Sequence, residues 1–261
     1  MSDAQRSDTP PGVRSLYLVA GVAALLAALV FRRSCGAELS AFDGFGVFAV
    51  PHPLPSQAGG WFALLRAEPF VGMALLDALD LIEYLLLSLV FVALFYALRG
   101  AARSASLVAA VLGLVGIGVA FMSNSAFSML SLSQRYGAAE EAHRLALQAA
   151  GEAVLARSNP GAAHLGTGAM LGWMLALLAG LLLSIAMLRT QVFSKATGIS
   201  GTLANGFALL IFPVFLLAPS VVWLPPSLSA PFRLLWYILI ALRLFKLSRS
   251  STLGADSAAA S

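Results

Sequence analysis

Long apolar runs alternate with short polar segments along most of the chain. The five runs after the first, of about 18 to 25 residues, are each long enough to cross about 30 Å of hydrocarbon as an α-helix. The runs are continuous and lack the alternating ten-residue pattern of a closed barrel, so they indicate helices. We therefore predict an all-α fold, a polytopic membrane helix bundle. The six predicted membrane-spanning helices lie near residues 16–31, 79–98, 105–130, 165–188, 199–219 and 229–247.

The first apolar run follows Arg14 and is closed by Arg32 and Arg33. A secretory signal peptide would instead end in small residues before its cleavage site. The flanking arginines therefore favour an uncleaved membrane-spanning helix over a signal peptide. The predicted boundaries are a disordered N-terminus at 1–12, a single membrane domain at 13–248 and a disordered tail at 249–261.

Two longer connections interrupt the runs. The first, near 32–69, is rich in Phe, Gly and Pro, and it predicts an interfacial loop anchored by aromatic residues at Trp61. The second, 133–158, is rich in Ala and places Glu140 four residues before Arg144. This spacing predicts an amphipathic surface helix that packs on the outer ends of the bundle.

The composition agrees with a membrane protein. Hydrophobic residues make up 59% of the chain and charged residues 11%, whereas soluble domains carry about one quarter charged residues. The net charge of +4 does not indicate nucleic acid, because the basic residues are scattered at segment ends. One cysteine and no Cys/His grouping at ligand spacing give no support for a disulfide or a metal site, and no cofactor is predicted.

The basic residues predict the orientation of the helices. Those in the short loops and at the ends fall on one side, which the positive-inside rule makes cytoplasmic. On the opposite side the basic residues are matched by acidic ones, so both termini are predicted to be cytoplasmic. The basic residues on the predicted cytoplasmic side are Arg6, Arg14, Arg99, Arg103, Arg189, Lys195, Arg243, Lys246 and Arg249.

The second membrane-spanning helix is preceded and entered by three acids, Asp77, Asp80 and Glu83. Ionisable residues at membrane depth are costly, so they are a functional-site hypothesis by default. If Arg99 marks the cytoplasmic end, Asp77 and Asp80 lie at the outer interface and Glu83 lies about 6 Å inside it. We expect these acids to face one polar zone.

Other polar residues are predicted at the same outer depth. We expect an ion pair between Arg233 and Asp80 or Glu83, because a guanidinium binds a carboxylate bidentately in a low-dielectric setting. The cluster is explained by a structural ion pair, by a water-filled cavity for a solute or proton, by a catalytic site, or by simple exposure of the acids at the interface. The predicted polar cluster comprises Asp77, Asp80, Glu83, Ser123, Asn124, His164 and Arg233.

Two further patterns concern helix packing. Gly168 and Gly172 form a G-x-x-x-G spacing, which predicts close contact with a neighbouring helix. Asn205 and Pro213 in the fifth run mark a kink or a broken helix, or else a tolerated packing feature.

Three segments, SNSAFSMLSLSQRY at 123–136, RTQVFSKATG at 189–198 and SAPFRLLWYILIALRLF at 229–245, resemble a bacterial family of multi-pass membrane proteins. That family is catalogued as a domain of unknown function. The resemblance spans roughly residues 66–247. It implies a six- or seven-helix bundle in the bacterial inner membrane, and it implies no substrate, cofactor or catalytic residue.

We therefore expect a non-enzymatic integral membrane protein, either a small-solute or proton-linked permease or a membrane accessory subunit. Its expected partners are the lipid bilayer and a small solute or proton, and the pattern predicts no oligomeric state. The alternative is a membrane-embedded hydrolase or transferase that uses Asp77, Asp80 or Glu83 as a base or metal ligand. No residue is singled out as catalytic.

Overall fold

The computed structural model describes residues 11–34, 53–159 and 166–249. Within these ranges the chain is helical and contains no strand, so the all-α prediction is confirmed. Of the predicted disordered ends, 1–12 and 249–261, residues 1–10 and 250–261 lie outside the described residues, as does most of the first connection before residue 53, whereas residues 11–12 and 249 are helical. The helices are α1 (Pro11–Ser34), α2 (Ala58–Ala67), α3 (Pro69–Leu75), α4 (Ala78–Ser123), α5 (Ala126–Ala138), α6 (Glu141–Leu155), α7 (Thr167–Arg189), α8 (Lys195–Leu209), α9 (Ile211–Leu217) and α10 (Leu224–Arg249).

Five helical segments of the described chain are long and apolar enough to cross a membrane. They correspond to α1, to α4 continued through α5, to α7, to α8 continued through α9, and to the 3₁₀ turn Pro219–Val221 continued through α10. Such apolar helices are compatible with a membrane-embedded protein.

Helix α4 is a hairpin of two antiparallel arms. A straight helix of its length would extend about 69 Å, yet the side chain of Asn124, just after its end, bonds to the carbonyl of Asp77, just before its start. Ala102 has non-helical dihedral angles, φ −147° and ψ 55°. Gly113 of the second arm also packs against the ring of Phe91 of the first. The chain therefore reverses at Ala102.

The chain divides into two compact units. Unit 1 comprises Met1–Leu29, Tyr84–Val115 and Met174–Ser261, and unit 2 comprises Val30–Glu83 and Gly116–Trp173. Each unit is described by itself below.

In unit 1, helices approach one another closely through glycines. A Cβ atom at Gly201 of α8 would collide with Ser184 of α7 and the indole of Trp236 of α10. Ser229 of α10 donates a hydrogen bond to the carbonyl of Ala204 at 2.7 Å. Small residues permit this approach because backbones in a helix bundle pack by van der Waals contact.

Unit 2 has an aromatic core. Trp61 and Phe62 of α2 are fully buried, together with Met129 of α5 and Leu155 of α6. The predicted interfacial loop is therefore wrong in this part, because its anchor residue Trp61 lies on a helix and inside the core. The sequence pattern did not reveal this because a short amphipathic helix and an aromatic interfacial segment share the same composition.

Unit 2 also differs from the predicted surface helix at 133–158. The segment forms two helices, α5 and α6, which are separated at Ala139 and Glu140. Arg144 pairs with Glu141 at 3.6 Å rather than with Glu140, which is the N-cap residue of α6. The break leaves α5 and α6 free to pack on α2 separately.

Two predicted membrane-spanning runs are interrupted. The third run ends at Ser123 rather than at residue 130, because Asn124 is extended and α5 starts a new helix. The fifth run breaks at Leu210, between α8 and α9. Pro213 has no N–H, and its ring clashes with the carbonyl four residues earlier, at Leu209. Pro213 therefore accompanies an interruption of the helix at Leu210, a residue that itself keeps helical dihedral angles, φ −64° and ψ −15°.

Candidate functional site

The acidic cluster of unit 2 begins at an unusual backbone position. Asp77 lies between α3 and α4 with φ 62° and ψ 26°, in the left-handed region, and it is the non-glycine residue with positive φ in the described chain. Asp and Asn adopt this conformation more readily than other non-glycine residues. Its carbonyl accepts a hydrogen bond from the N–H of Asp80 at 3.2 Å, so both acids sit at the start of the first arm of α4.

Asn124 fixes this junction. Its side-chain amide donates to the carbonyl of Asp77 at 3.0 Å and to that of Leu76 at 3.4 Å. Its side-chain oxygen accepts from the N–H of Ala126 at 3.0 Å, at the start of α5. One side chain thus joins the α3–α4 junction to the α4–α5 junction. We call Asp77, Asp80 and Asn124 the acidic junction.

The electrostatics of the acidic junction favour the protonated form of Asp77. Burial, and then the neighbouring charge of Asp80, raise the pKa of Asp77, which precedes α4, to about 7. A buried carboxyl group loses hydration in its charged form, and a second carboxylate nearby adds repulsion. The start of α4 opposes this effect in part, because a helix N-terminus favours negative charge. The junction can therefore bind or release a proton near neutral pH.

Glu83 is half-buried on the first arm of α4, one turn beyond Asp80. Ser123 is buried at the end of the second arm, and its hydroxyl donates to the carbonyl of Val119 at 2.8 Å. This bond keeps the Ser123 hydroxyl on its own helix, while its neighbour Asn124 belongs to the junction itself.

Glycines of α7 allow this part of the second arm to pack closely. A Cβ atom at Gly172 would lie 2.8 Å from the Ala120 nitrogen and the Gly116 oxygen. A Cβ atom at Gly168 would collide with the hydroxyl of Ser123. The close helix contact predicted from the G-x-x-x-G spacing is confirmed.

Two members of the predicted polar cluster are not brought into the acidic junction by the described contacts. His164 lies outside the described residues. Arg233 is a half-buried residue of α10 and belongs to unit 1. The ion pair predicted for Arg233 therefore stays a prediction.

The structure contains long-range hydrogen bonds that the sequence did not indicate. Asn159, beyond α6, donates to the carbonyl of Ser56 at 3.0 Å and accepts from the indole N–H of Trp61 at 3.3 Å. Ser125 donates to the carbonyl of Ser158 at 3.1 Å. The only sequence signal at Asn159 is a helix terminator, and a terminator does not predict a partner about 100 residues away.

Two charged side chains of α6 and the segment after it support the same region. A carboxylate oxygen of Glu152 accepts from the N–H of Ala58 at 2.7 Å, at the first residue of α2. Arg157 donates to the carbonyl of Met122, near the end of the second arm. Both satisfy backbone groups that helix ends leave open.

Within the described chain, no group of three or more His, Cys, Asp or Glu residues lies close enough together to hold a metal ion. The acidic junction places two carboxyl side chains at the N-terminus of α4, and Asn124 holds the backbone around them. Such a pair can exchange a proton or bind a cationic group.

Comparisons with known proteins found no matching family model, no matching curated protein and no matching solved structure. The resemblance to a bacterial multi-pass family therefore stays a prediction.

Proposed function

We propose that this chain is an integral membrane protein with six membrane-spanning helices, which works as a small-solute or proton-linked permease, or as a membrane accessory subunit. The acidic junction is its proton-exchanging group. The observation that carries the proposal is the geometry of Asp77. It lies at a left-handed position beside Asp80, and Asn124 donates one hydrogen bond to its backbone carbonyl and one to that of Leu76.

The apolar surface of the helices supports the membrane part of the proposal. Large hydrophobic side chains are exposed on α1, on both arms of α4, on α7 and on α10. On α9, Leu216 and Leu217 are 78% and 85% exposed. Soluble monomers rarely expose contiguous apolar surface of this extent. Contact with lipid chains would remove the free-energy cost of exposing these side chains to water.

The reversal of the chain at Ala102 supports the proposed number of six membrane-spanning helices. Each arm of α4 extends more than about 30 Å at 1.5 Å per residue, enough to cross the hydrocarbon core alone. The five apolar segments become six membrane-spanning helices when the two arms are counted separately. In this proposal the start of α1 and the end of α10 face the cytoplasm of a bacterial cell, as the basic residues predict.

The proposed proton exchange concerns the acidic junction at the outer interface. A carboxyl group near neutral pKa is half-protonated at physiological pH, and this is the condition for loading and releasing a proton during a transport cycle. A membrane-embedded hydrolase or transferase is the alternative predicted above. It would require a nucleophile or converging metal ligands near these acids, and no contact of the described residues favours it.

The test is the access of water to the first arm of α4. We place a single cysteine at position 83 in a Cys35→Ser background and label it with a membrane-impermeant maleimide in intact and inverted vesicles. Labelling from the outer side, or from both sides, is expected for a permease with a wetted cavity. A protein that stays folded and is labelled from neither side would contradict the permease proposal.

A matched control places the single cysteine at position 85, because Leu85 lies on the same arm and its side chain is 57% exposed on the apolar surface. Lipid should shield this position, so it should label weakly from both sides. Strong labelling at both positions would contradict the assignment of this arm to the membrane.

A further inference from the structure

Basic side chains gather at one end of unit 1. The described residues of unit 1 contain no Asp or Glu, whereas unit 2 contains all the acids of the described chain. The basic residues lie at the start of α1, at the tip of the α4 hairpin, around the α7–α8 loop and at the end of α10. We call this surface the basic end and define it by Arg14, Arg99, Arg103, Arg189, Lys195 and Lys246.

Contacts within unit 1 bring these elements together. A Cβ atom at Gly21 of α1 would lie 2.7 Å from the ring of Phe245, so α1 packs on the last turns of α10. An electrostatic interaction joins Tyr17 of α1 to Arg99 at the hairpin tip. The start of α1, the hairpin tip and the end of α10 therefore meet at the same end.

The α7–α8 loop joins the same surface. Arg243 of α10 donates from its Nε to the carbonyl of Val192 at 2.6 Å. Gly198 of α8 packs on Leu188 of α7, where an added Cβ would lie 2.6 Å from the leucine side chain. The basic residues that flank this loop, Arg189 and Lys195, are thereby placed beside the end of α10.

Several donors at the basic end lack partners among the described residues. The side chains of Arg103, Arg189, Lys195 and Lys246 are exposed and make no ion pair or hydrogen bond there. The Nε atom of Arg14 is buried and also lacks a hydrogen-bond partner. Buried donors normally have an acceptor, so the Nε of Arg14 calls for an acceptor from outside the described chain, and the exposed cations are open to the same ligand.

The orientation of the helices does not account for this arrangement. Orientation requires only an excess of Lys and Arg in the loops on one side. It does not require basic groups from separate loops to converge, with no acid among the described residues of the unit and with a buried guanidinium Nε that has no acceptor there. Convergent cations with open donors are instead what a phosphate group needs.

We propose that the basic end of unit 1 binds the phosphate of anionic phospholipid headgroups. The inference rests on the membrane embedding proposed above and is independent of the acidic junction. Anionic lipids lie where the ends of membrane-spanning helices meet the headgroup region, and basic pockets between such helices bind phosphate headgroups. The N-terminus of α8, where Ser194 caps the N–H of Thr197, adds backbone dipoles that favour an anion.

The test measures lipid affinity by native mass spectrometry. Purified protein in a neutral detergent is titrated with phosphatidylglycerol or with phosphatidylcholine of the same acyl chains. The wild type is expected to prefer phosphatidylglycerol. Each removed charge should lower that affinity about fivefold, so Arg189→Gln loses about fivefold and the triple variant Arg189→Gln/Lys195→Gln/Lys246→Gln loses about 100-fold.

Arg135→Gln is the matched control, because Arg135 is also an exposed arginine in the last turn of a helix, α5 of unit 2. It should leave the affinity for phosphatidylglycerol unchanged. Equal affinity of the wild type for the two lipids, or an equal loss in Arg189→Gln and Arg135→Gln, would overturn the inference. A separate competition experiment adds inorganic phosphate to the lipid-bound protein. Displacement of the lipid by equimolar phosphate would show that the site binds a free anion and not a lipid headgroup.

Failure of this inference is distinguishable from failure of the membrane proposal. Suppose the wild type binds the two lipids with equal affinity but needs detergent to stay dispersed. That result would contradict the headgroup site and would leave the membrane embedding standing. A wild type that stays folded and monodisperse without detergent rejects the embedding itself.

Discussion

Polar side chains in unit 1 bond mostly within their own helix. Ser184 donates to the carbonyl of Gly180 at 2.7 Å, and Asn205 donates to that of Gly201 at 2.8 Å. Each bond reaches back four residues, to a carbonyl that already accepts a backbone hydrogen bond. The polar groups of these two side chains are therefore satisfied within their own helix. Glycine and apolar residues make the contacts between helices.

Unit 2 also has side-chain hydrogen bonds within one helix, but more of its polar side chains than in unit 1 bond to backbone groups far along the chain. Asn124 reaches Asp77, and Asn159 reaches Ser56. The acceptors lie where short helices end or meet, and the last carbonyls of a helix have no partner within it. Unit 2 contains more helix ends than unit 1, so it depends on amide side chains, whereas unit 1 depends on small residues.

The largest expected effect concerns small residues in unit 1. Gly201→Ala adds a methyl group against the buried hydroxyl of Ser184 and the buried indole of Trp236, and overpacking of this kind costs about 3 kcal/mol. Thermal unfolding in detergent measures the loss. Gly206→Ala is the control on the same helix, since nothing lies within 4 Å of its Cβ position, and it should stabilise by about 0.5 kcal/mol. Equal melting temperatures would contradict the packing role of Gly201.

The next effect compares one amide from each unit. Asn124→Ala leaves the carbonyls of Leu76 and Asp77 and the N–H of Ala126 without this partner, and we expect a loss of about 2 kcal/mol. Asn205→Ala should cost about 1 kcal/mol. The loss is smaller because the Gly201 carbonyl lies inside a helix and keeps its backbone hydrogen bond when the Asn205 side chain is removed. Chemical unfolding in mixed micelles measures both. A larger loss for Asn205→Ala would reverse the comparison.

The third effect is a pH dependence that belongs to unit 2. The pKa of Asp77 is raised from 3.8 to about 7 in the folded protein, so the folded state binds the proton more tightly than the unfolded state. Stability is then highest at low pH and falls as pH rises from about 4 to about 7, with a flat dependence above. The effect is of order 1 kcal/mol after solvent screening. Melting temperatures between pH 4.5 and 8 measure it.

Asp77→Asn should remove this part of the pH dependence. Asp80→Asn is the matched variant, because it removes the neighbouring charge that raises the pKa of Asp77 and should move the transition to lower pH. A wild type whose stability rises between pH 4.5 and 7, while both variants show the same rise, would contradict the assignment.

The sequence predicted the elements that depend on periodicity and composition. Continuous apolar runs predicted the helices, and the spacing of Gly168 and Gly172 predicted their contact with a neighbouring helix, because these features are local. The acids Asp77 and Asp80 were also found from the sequence, since charge beside an apolar run is visible without any structure.

The sequence did not predict features that depend on distant contacts. The burial of Trp61 and the bond from Asn159 to Ser56 require two segments about 100 residues apart to meet, and periodicity carries no such information. The left-handed conformation of Asp77 was missed because no glycine marks it. The reversal of α4 at Ala102 was expected as a loop between two runs, but no proline or turn pair fixes its position.

The smallest expected effect tests whether a cation–aromatic contact differs between the units. In unit 2 the ring of Tyr136 lies 5.7 Å from the guanidinium of Arg66 and 5.8 Å from that of Arg144, and in unit 1 the ring of Tyr96 lies 4.6 Å from that of Arg99. Tyr136→Leu should destabilise by about 0.5 kcal/mol more than Tyr96→Leu, because two cations instead of one lose the ring. The aromatic neighbours balance, since Phe62 lies 5.2 Å from Tyr136 and Phe95 lies 5.4 Å from Tyr96. Thermal unfolding of the two variants at one pH measures the difference. A greater loss for Tyr96→Leu would show that the shorter distance, and not the number of cations, decides the contribution.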